Sequence, residues 1–372
     1  MRSSYPKESK TWVEVDRKAV ESNFRSFRRI VAPAAKIFSV VKSNAYGHGL
    51  IEFSGLIDRF ADGFCVDSVA EAAALRDAGI GDGKMILVLG LSMPSEWELA
   101  HKVKATISIS NSAALKALKE AKKIPDFHLK IDTGMRRQGF YPEDIDSVAE
   151  DCAGDPRLKK ALKGVFTHLS AAKDINYPTF SENQYEGFMG AVQSLEKAGF
   201  KKLIRHIAAT GGVMISGKYH LDAVRIGIGL YGLWPSKELE IQLGDKISLK
   251  PALKWKSIVG EVKEVKKGDY IGYDLTERVT SDGKIAVIPV GYWHGLPRAL
   301  SGVGDVLIKG KKARILGRVS MDMIIVDVSG IPAKFGDEAV VIYDAQDAAR
   351  RMGGSHYELI TRINPAIERV LV

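Results

Sequence analysis

At 372 residues, with 45% hydrophobic and 27% charged residues, the chain has an ordinary globular composition and exceeds the usual size of one core, so two domains are expected. Met1 to Lys10 has no apolar leader segment, no apolar run is long enough to span a bilayer, and Cys65 and Cys152 make neither a disulfide framework nor a metal-ligand pattern; a cytoplasmic protein with no membrane partner and no metal is expected. The net charge of +9 raises nucleic acid as a partner, but the lysine pairs at 122–123, 159–160, 201–202, 266–267 and 311–312 are scattered without interleaved aromatics, which argues for solvated faces instead.

Thr11–Val15 reads as an early strand that can pair with a later domain. Eight β-rich runs then follow in order: Ile37–Lys42, Gly63–Val66, Lys84–Leu89, Thr106–Ser110, Phe127–Ile131, Gly164–His168, Leu203–Ile207 and Ala223–Ile228. Helical patterns such as Val69–Ala78, Asn111–Lys122 and Asn183–Ala198 lie between them, with Ser68, Ser110 and Ser181 as candidate caps. This alternation predicts a (β/α)8 TIM-like barrel over residues 16–240, with catalytic groups at the C-terminal ends of its parallel strands. Trp234-Pro235-Ser236 and the charged stretch to about Lys250 read as an inter-domain connection. Beyond it Ser257–Val265, Lys284–Pro289, Asp305–Ile308, Ala313–Val319, Met323–Val328 and Ala339–Tyr343 predict an all-β domain over residues 241–372. The fold class is thus α/β plus all-β.

The chemistry gathers at the strand ends. Lys42 follows the first barrel strand in Val41-Lys42-Ser43-Asn44-Ala45-Tyr46-Gly47-His48-Gly49. A lysine there can act as a carbonyl-attacking amine if its surroundings favour the neutral form, although a solvated lysine at a strand end is the commoner case. Lys130 and Asp132 end the fifth strand, His168 the sixth and His206 the seventh, while Arg225 and Gly227 lie on the eighth. Taken singly, each histidine reads as a core residue and the arginine as a surface ion pair. Their convergence on one barrel face argues for a site. Thr210-Gly211-Gly212 and Gly227-Ile228-Gly229 can offer backbone N–H groups and a hydroxyl to a phosphate, and a Schiff-base lysine beside a phosphate cradle suggests pyridoxal phosphate. Gly227 to Gly232 also matches G-x-G-x-x-G, but it follows seven β/α units and runs into Trp234-Pro235, the wrong context for a dinucleotide fold.

Seven motifs in order give a family resemblance: residues 41–50, Leu129 to Gly139, Thr167 to Ser170, Val224 to Gly232, Gly272-Tyr273-Asp274, Gly291 to Arg298, and Gly317 to Asp322. Over nearly its whole length the chain resembles alanine racemase, a fold-type III pyridoxal-phosphate enzyme. The resemblance implies that Lys42 binds the cofactor covalently, and that Tyr46, Thr210, Gly227 and Ile228 hold its phosphate. It places Arg225 at the pyridine nitrogen with His168 and His206 nearby, and Arg137 at the phenolic oxygen. Arg137, Tyr292 and Met321 then face the substrate, and Lys130 corresponds to a lysine often carbamylated in the family. Lys42 and Tyr273 are implied as the two bases on opposite faces, in a homodimer whose active sites are shared, serving interconversion of L- and D-alanine for peptidoglycan. Tyr273 needs a cationic neighbourhood to act as a base, and the family chain Tyr273, His168, Arg225 supplies one.

The rival readings are a racemase of the same fold acting on serine or lysine, a fold-type III decarboxylase, and a non-catalytic pyridoxal-phosphate carrier. No cysteine follows Cys152 to match the decarboxylase motif, and carriers lack a β domain. Three departures from the family pattern bear on substrate range: Ala209-Thr210 for Asn-Ser, Trp293-His294 for Ala-Asp, and Pro365 where a phosphate-contacting tyrosine is common.

Overall fold

A computed structural model of the chain describes residues 9–173 and 178–372. Most of the Met1 to Lys10 stretch read for a leader lies outside them. The chain divides into two compact units. One comprises Val20–Ser43 and Ser54–Lys250; the other comprises the described residues up to Ala19, Asn44–Phe53 and Pro251–Val372.

The first unit carries eight short parallel strands. Met85–Val88, Gly63–Val66, Lys36–Val40 and Ala223–Ile226 pair side by side in that order, as do Ile107–Ile109, Phe127–Lys130, Leu162–Phe166 and Ile204–His206. Parallel bridges Leu87↔Thr106 and Ala209↔Arg225 join the two sets and close the ring. Nearly every residue of these strands is buried, as expected of a parallel sheet covered on both faces, which is why they read as apolar runs and not as alternating ones.

Three local expectations change. Asn111, not Ser110, caps the helix Ser112–Glu120 by accepting from the Ala114 N–H at 2.8 Å. Ser181 is no cap: the helix begins at Pro178 and runs to Lys197, with Ser181 buried inside it. The supposed connection after Trp234 is folded, because Ser236 caps a helix Lys237–Leu243 by accepting from the Leu239 N–H at 3.3 Å. Leu239, Leu243 and Ile247 recur every four residues and pack around Trp234, a helical stripe hidden among charges. Ser68, by contrast, caps Val69–Asp77 as its position predicts, accepting from the Glu71 N–H at 3.2 Å.

The second unit is built on a nine-stranded, mainly antiparallel sheet. Thr11–Val15 lies in it, antiparallel to Leu253–Ile258 and parallel to Glu368–Leu371. The run Ser257–Val265 proves to be parts of two strands, Leu253–Ile258 and Glu261–Val265, broken at Val259-Gly260. Helices Ala345–Arg351 and His356–Thr361 interrupt the strand pattern; Asp344 and Ser355 cap them, accepting from Asp347 N–H at 2.9 Å and Tyr357 N–H at 3.2 Å.

Candidate active site

Lys42 begins a turn with unusual backbone. Ser43, Asn44, Ala45 and Tyr46 have φ of 56°, 55°, 50° and 51°, a left-handed helical turn made entirely of residues with a Cβ. Such a conformation costs about 1–2 kcal/mol per residue. Local hydrogen bonds hold it: the Asn44 carbonyl accepts from Gly47 N–H at 3.0 Å and Gly49 N–H at 3.1 Å, and the Asn44 side chain accepts from Leu50 N–H at 2.8 Å. Gly47 continues the left-handed path at φ 84°, and a Cβ there would lie 2.0 Å from the Ile360 carbonyl oxygen. Arg369, buried, donates to the Gly47 carbonyl at 3.1 Å and to the carbonyls of Asn364 and Pro365 at 2.8 and 3.1 Å. Strain of this kind clusters at functional sites, and here it follows Lys42 directly.

Within the barrel, the Lys42 amine pairs with Asp67 at 3.2 Å and remains partly open to solvent. Arg225 is 2% exposed and surrounded by acceptors without a carboxylate. Its Nη1 donates to His206 Nδ1 at 2.6 Å and to the His206 carbonyl at 3.1 Å; its Nη2 donates to the Thr167 and Ile207 carbonyls at 2.7 and 3.1 Å and reaches His168 Nδ1 at 3.4 Å. Among the described residues its Nε–H has no acceptor. Burial lowers the Arg225 guanidinium to about 10, so it stays cationic at neutral pH. Burial, followed by the charges of Arg225, Arg137, Lys130 and Lys42, lowers His168 to about 3 and keeps its imidazole neutral.

Lys130 donates to Gln138 Oε1 at 2.8 Å; burial, with Arg137 and Arg225 nearby, lowers its amine to about 8. Asp132 orders the loop that carries Arg137. Its carboxylate accepts from the N–H groups of Gly134, Arg136 and Arg137 at 3.0, 2.9 and 2.8 Å, and although burial pushes the acid up, these donors prevail and hold it below its ordinary value. Thr210 Oγ1 accepts from Gly227 N–H at 3.1 Å and stands 3.5 Å from Gly229 N. Gly229 has no room for a side chain: a Cβ would lie 2.3 Å from Phe27 and 2.8 Å from Thr210 Cγ2. Ile228 follows in the turn Ile228–Tyr231. A hydroxyl between closely packed glycine N–H groups, an amine and an unspent guanidinium donor suit the phosphate, aldehyde and ring nitrogen of pyridoxal phosphate.

In the other unit, Tyr273 lies at the tip of a hairpin between Tyr270–Ile271 and Glu277–Arg278, and is 67% exposed. Gly272, Asp274 and Leu275 have φ of 72°, 63° and 52°, and Arg318 pairs with Asp274 at 2.7 Å, which fixes the tip. Tyr292 and Trp293 are pinned through their N–H groups to the Ser320 and Met321 carbonyls at 2.9 Å each. The side chains of Tyr292, Trp293 and Met321 are exposed. Asn364 donates to the Trp293 carbonyl at 3.2 Å, tying the Pro365 turn to that loop, and His294 Nδ1 accepts from Gly291 N–H at 3.1 Å. The Tyr46 ring lies 6.2 Å from that of Tyr357.

Sequence reasoning missed His128, Gln138 and Gln184. His128 is two residues before Lys130 on one strand, so the two share a face, and that period-two relation was the available signal. Gln184 is 1% exposed, accepts from Ser170 N–H at 2.9 Å and donates to the His168 carbonyl at 3.2 Å, fixing the His168 loop; nothing in an amphipathic helix pattern singles it out.

The buried charges at the strand ends of the parallel barrel, with a lysine at the end of its first strand, define a barrel enzyme with an appended β domain. Comparison narrows the class. The model of "Alanine racemase, N-terminal domain" matches residues 15–235, and that of "Alanine racemase, C-terminal domain" matches residues 252–371. Alanine racemases of Leptospira interrogans and Clostridium perfringens are 34% and 35% identical, covering 97% and 96% of this chain and 96% and 94% of their own. A solved alanine racemase of Clostridium difficile superposes with a TM-score of 0.89 at 30% identity over 98% of this chain and 96% of that one. That of Bacillus anthracis with bound L-Ala-P gives 0.89 at 30%, over 99% and 96%. The chain belongs to the alanine racemase family and is therefore an isomerase acting on a small amino acid. Among the described residues no helix is long and apolar enough to cross a membrane.

Proposed function

We propose that the chain is a cytoplasmic, homodimeric, pyridoxal-phosphate-dependent racemase interconverting L- and D-alanine by a two-base mechanism, supplying D-alanine for peptidoglycan. The observation that carries the cofactor reading is Arg225: a buried cation whose Nη donors are consumed by carbonyls and imidazoles while its Nε–H remains unspent. When bound, pyridoxal phosphate supplies an electron sink that acidifies the α-hydrogen of an attached amino acid. Lys42 would hold the cofactor covalently; Tyr46, Thr210, Gly227 and Ile228 would bind its phosphate; Arg225, fixed by His168 and His206, would support its ring nitrogen. An arginine lowered only to about 10 keeps its proton, so it supports the ring without protonating it.

Lys42 and Tyr273 move the proton on opposite faces of the α-carbon, Tyr273 coming from a second copy of the chain. Arg137, Tyr292 and Met321 orient the substrate. The lowered Lys130 amine can add carbon dioxide with loss of a proton, and the resulting carbamate attracts Arg137 into place. Assay of the purified, cofactor-supplied protein with a panel of L-amino acids is the test. Formation of D-alanine as the fastest reaction is expected; a preferred substrate other than alanine, or decarboxylation, would overturn the assignment.

A further inference from the structure

Behind Arg225 lies a second buried imidazole that the racemase reading does not use. His128 is fully buried on the strand Phe127–Lys130, and its Nδ1 lies 2.9 Å from His206 Nε2. Its other nitrogen, Nε2, has no hydrogen-bond partner among the described residues. The His206 ring between them is held by a parallel stack on Phe166 at 4.9 Å and an edge contact from Phe38 at 5.9 Å. Space for the His128 ring comes from Gly164, where a Cβ would come within 2.5 Å of its Cε1 and 2.6 Å of its Nε2.

The protons in this chain have one consistent arrangement. A guanidinium has no acceptor, so the 2.6 Å contact requires a bare lone pair on His206 Nδ1. Neutral His206 therefore carries its proton on Nε2, and donates it to His128. His128 in turn must have a bare Nδ1 and a proton on Nε2. An imidazolium at either position would set two N–H groups against each other.

We propose that His128 is a positioning residue: by accepting from His206 Nε2–H it fixes the His206 tautomer and strengthens the Nδ1 lone pair that holds Arg225. The physics is that of an outer acceptor orienting a ligating histidine, with a guanidinium in place of the metal, and each hydrogen bond polarises the next. The carbonyls of Thr167, His206 and Ile207 fix where the guanidinium sits, and the imidazole fixes its rotation. The orphaned Nε2–H is the cost of running the chain in this direction, since reversing it would leave Arg225 facing a donor.

The role in turnover rests on the racemase reading; the proton arrangement does not. Histidine selectively labelled with ¹⁵N, read in the wild-type holoenzyme, should show His206 and His128 both protonated at Nε2 and bare at Nδ1. Protonation of His206 at Nδ1 would overturn the proposal whether or not the protein racemises alanine. His128→Leu should weaken cofactor binding and lower kcat about tenfold, the scale of losing an outer partner, with KM for alanine little changed. His128→Asn, which returns an acceptor oxygen, should recover most of both. Unchanged cofactor affinity and kcat in His128→Leu, or equal losses in the Leu and Asn variants, would reduce His128 to a packing residue. If His128→Leu does not fold, the wild-type spectrum alone decides.

Discussion

The barrel and the β domain present their functional side chains in opposite ways. Arg225, His206, His128 and Lys130 are at most 6% exposed and held by named acceptors, whereas Tyr273, Met321 and Trp293 are 67%, 55% and 65% exposed on backbone that is itself fixed. Burial sets the chemistry of the first group: it keeps the imidazoles neutral and draws the Lys130 amine down to about 8. Exposed side chains on well-anchored turns have no such setting from their own unit. A second protein surface would supply it, which is the physical case for a site shared between subunits.

The comparison breaks first at Lys42, where the largest effect is expected. Lys42→Ala removes the only amine assigned to hold the cofactor covalently, so racemisation should be lost. Borohydride should then fix no cofactor to the protein, as mass spectrometry would show. A fixed adduct in the variant would move the attachment to another lysine. Tyr273→Phe tests the exposed side: cofactor should still bind, and racemisation should fall about 100-fold or more because one base is gone. Racemisation at the wild-type rate would dismiss the second base. Mixing the two inactive proteins under subunit exchange sharpens the contrast, since half of the random dimers would hold one site with both bases, restoring about a quarter of wild-type activity. No recovery despite verified exchange argues for sites complete within one chain.

The buried side makes a smaller prediction in stability. The His128 imidazole is lowered to about 3 by burial and then by the charge of Arg225. Between about pH 6.5 and pH 3 the unfolded chain binds a proton there that the folded chain does not, so stability is present above pH 6.5 and is lost on acidification. By pH 5 His128 alone should cost about 2 kcal/mol, and His168 and His206 act in the same direction. Denaturant unfolding at pH 7 and pH 5 should show the loss. The difference between the two pH values should shrink in His128→Leu; an equal pH dependence in the variant would mean that His128 does not titrate on unfolding.

These two regions were not equally legible in the sequence. The eight barrel strands stood out because doubly buried parallel strands are continuous apolar runs bounded by turns, and polar residues at their ends were conspicuous. Pairing across the chain was less legible: Thr11–Val15 could be suspected of joining the later sheet, but its register against Leu253–Ile258 and Glu368–Leu371 is a tertiary fact. The helix Lys237–Leu243 hid because its stripe has one apolar residue per turn amid Lys237, Glu238 and Glu240. His128 hid because one histidine on an apolar strand is ordinarily core. Its 2.9 Å contact with His206 and its unpartnered Nε2 set it apart.

The smallest expected effect lies on the exposed side, at Pro365. The Asn364-Pro365-Ala366 turn is closed by Ala366 N–H donating to Asn364 Oδ1 at 2.9 Å and anchored by Arg369 donating to the Pro365 carbonyl at 3.1 Å. Asn364 ties the same turn to the Trp293 carbonyl, so residue 365 is next in the chain to a tie with the loop that carries Tyr292 and Trp293. Proline has neither a hydroxyl nor an N–H, and cannot replace a tyrosine that contacts phosphate. Proline is also the smaller residue, so a side chain larger than methyl is expected to enter, and serine is expected as a secondary substrate behind alanine. Pro365→Tyr keeps the carbonyl that Arg369 grips, adds the hydroxyl, and should lower kcat/KM for serine relative to alanine by a few-fold, less than the roughly 10- to 200-fold that one misfitted methylene costs in a close-fitting pocket. The serine-to-alanine ratio, measured in both proteins with cofactor saturating, decides it: an unchanged ratio in a variant that binds cofactor normally would place the control of side-chain size in Trp293 or elsewhere on the exposed face.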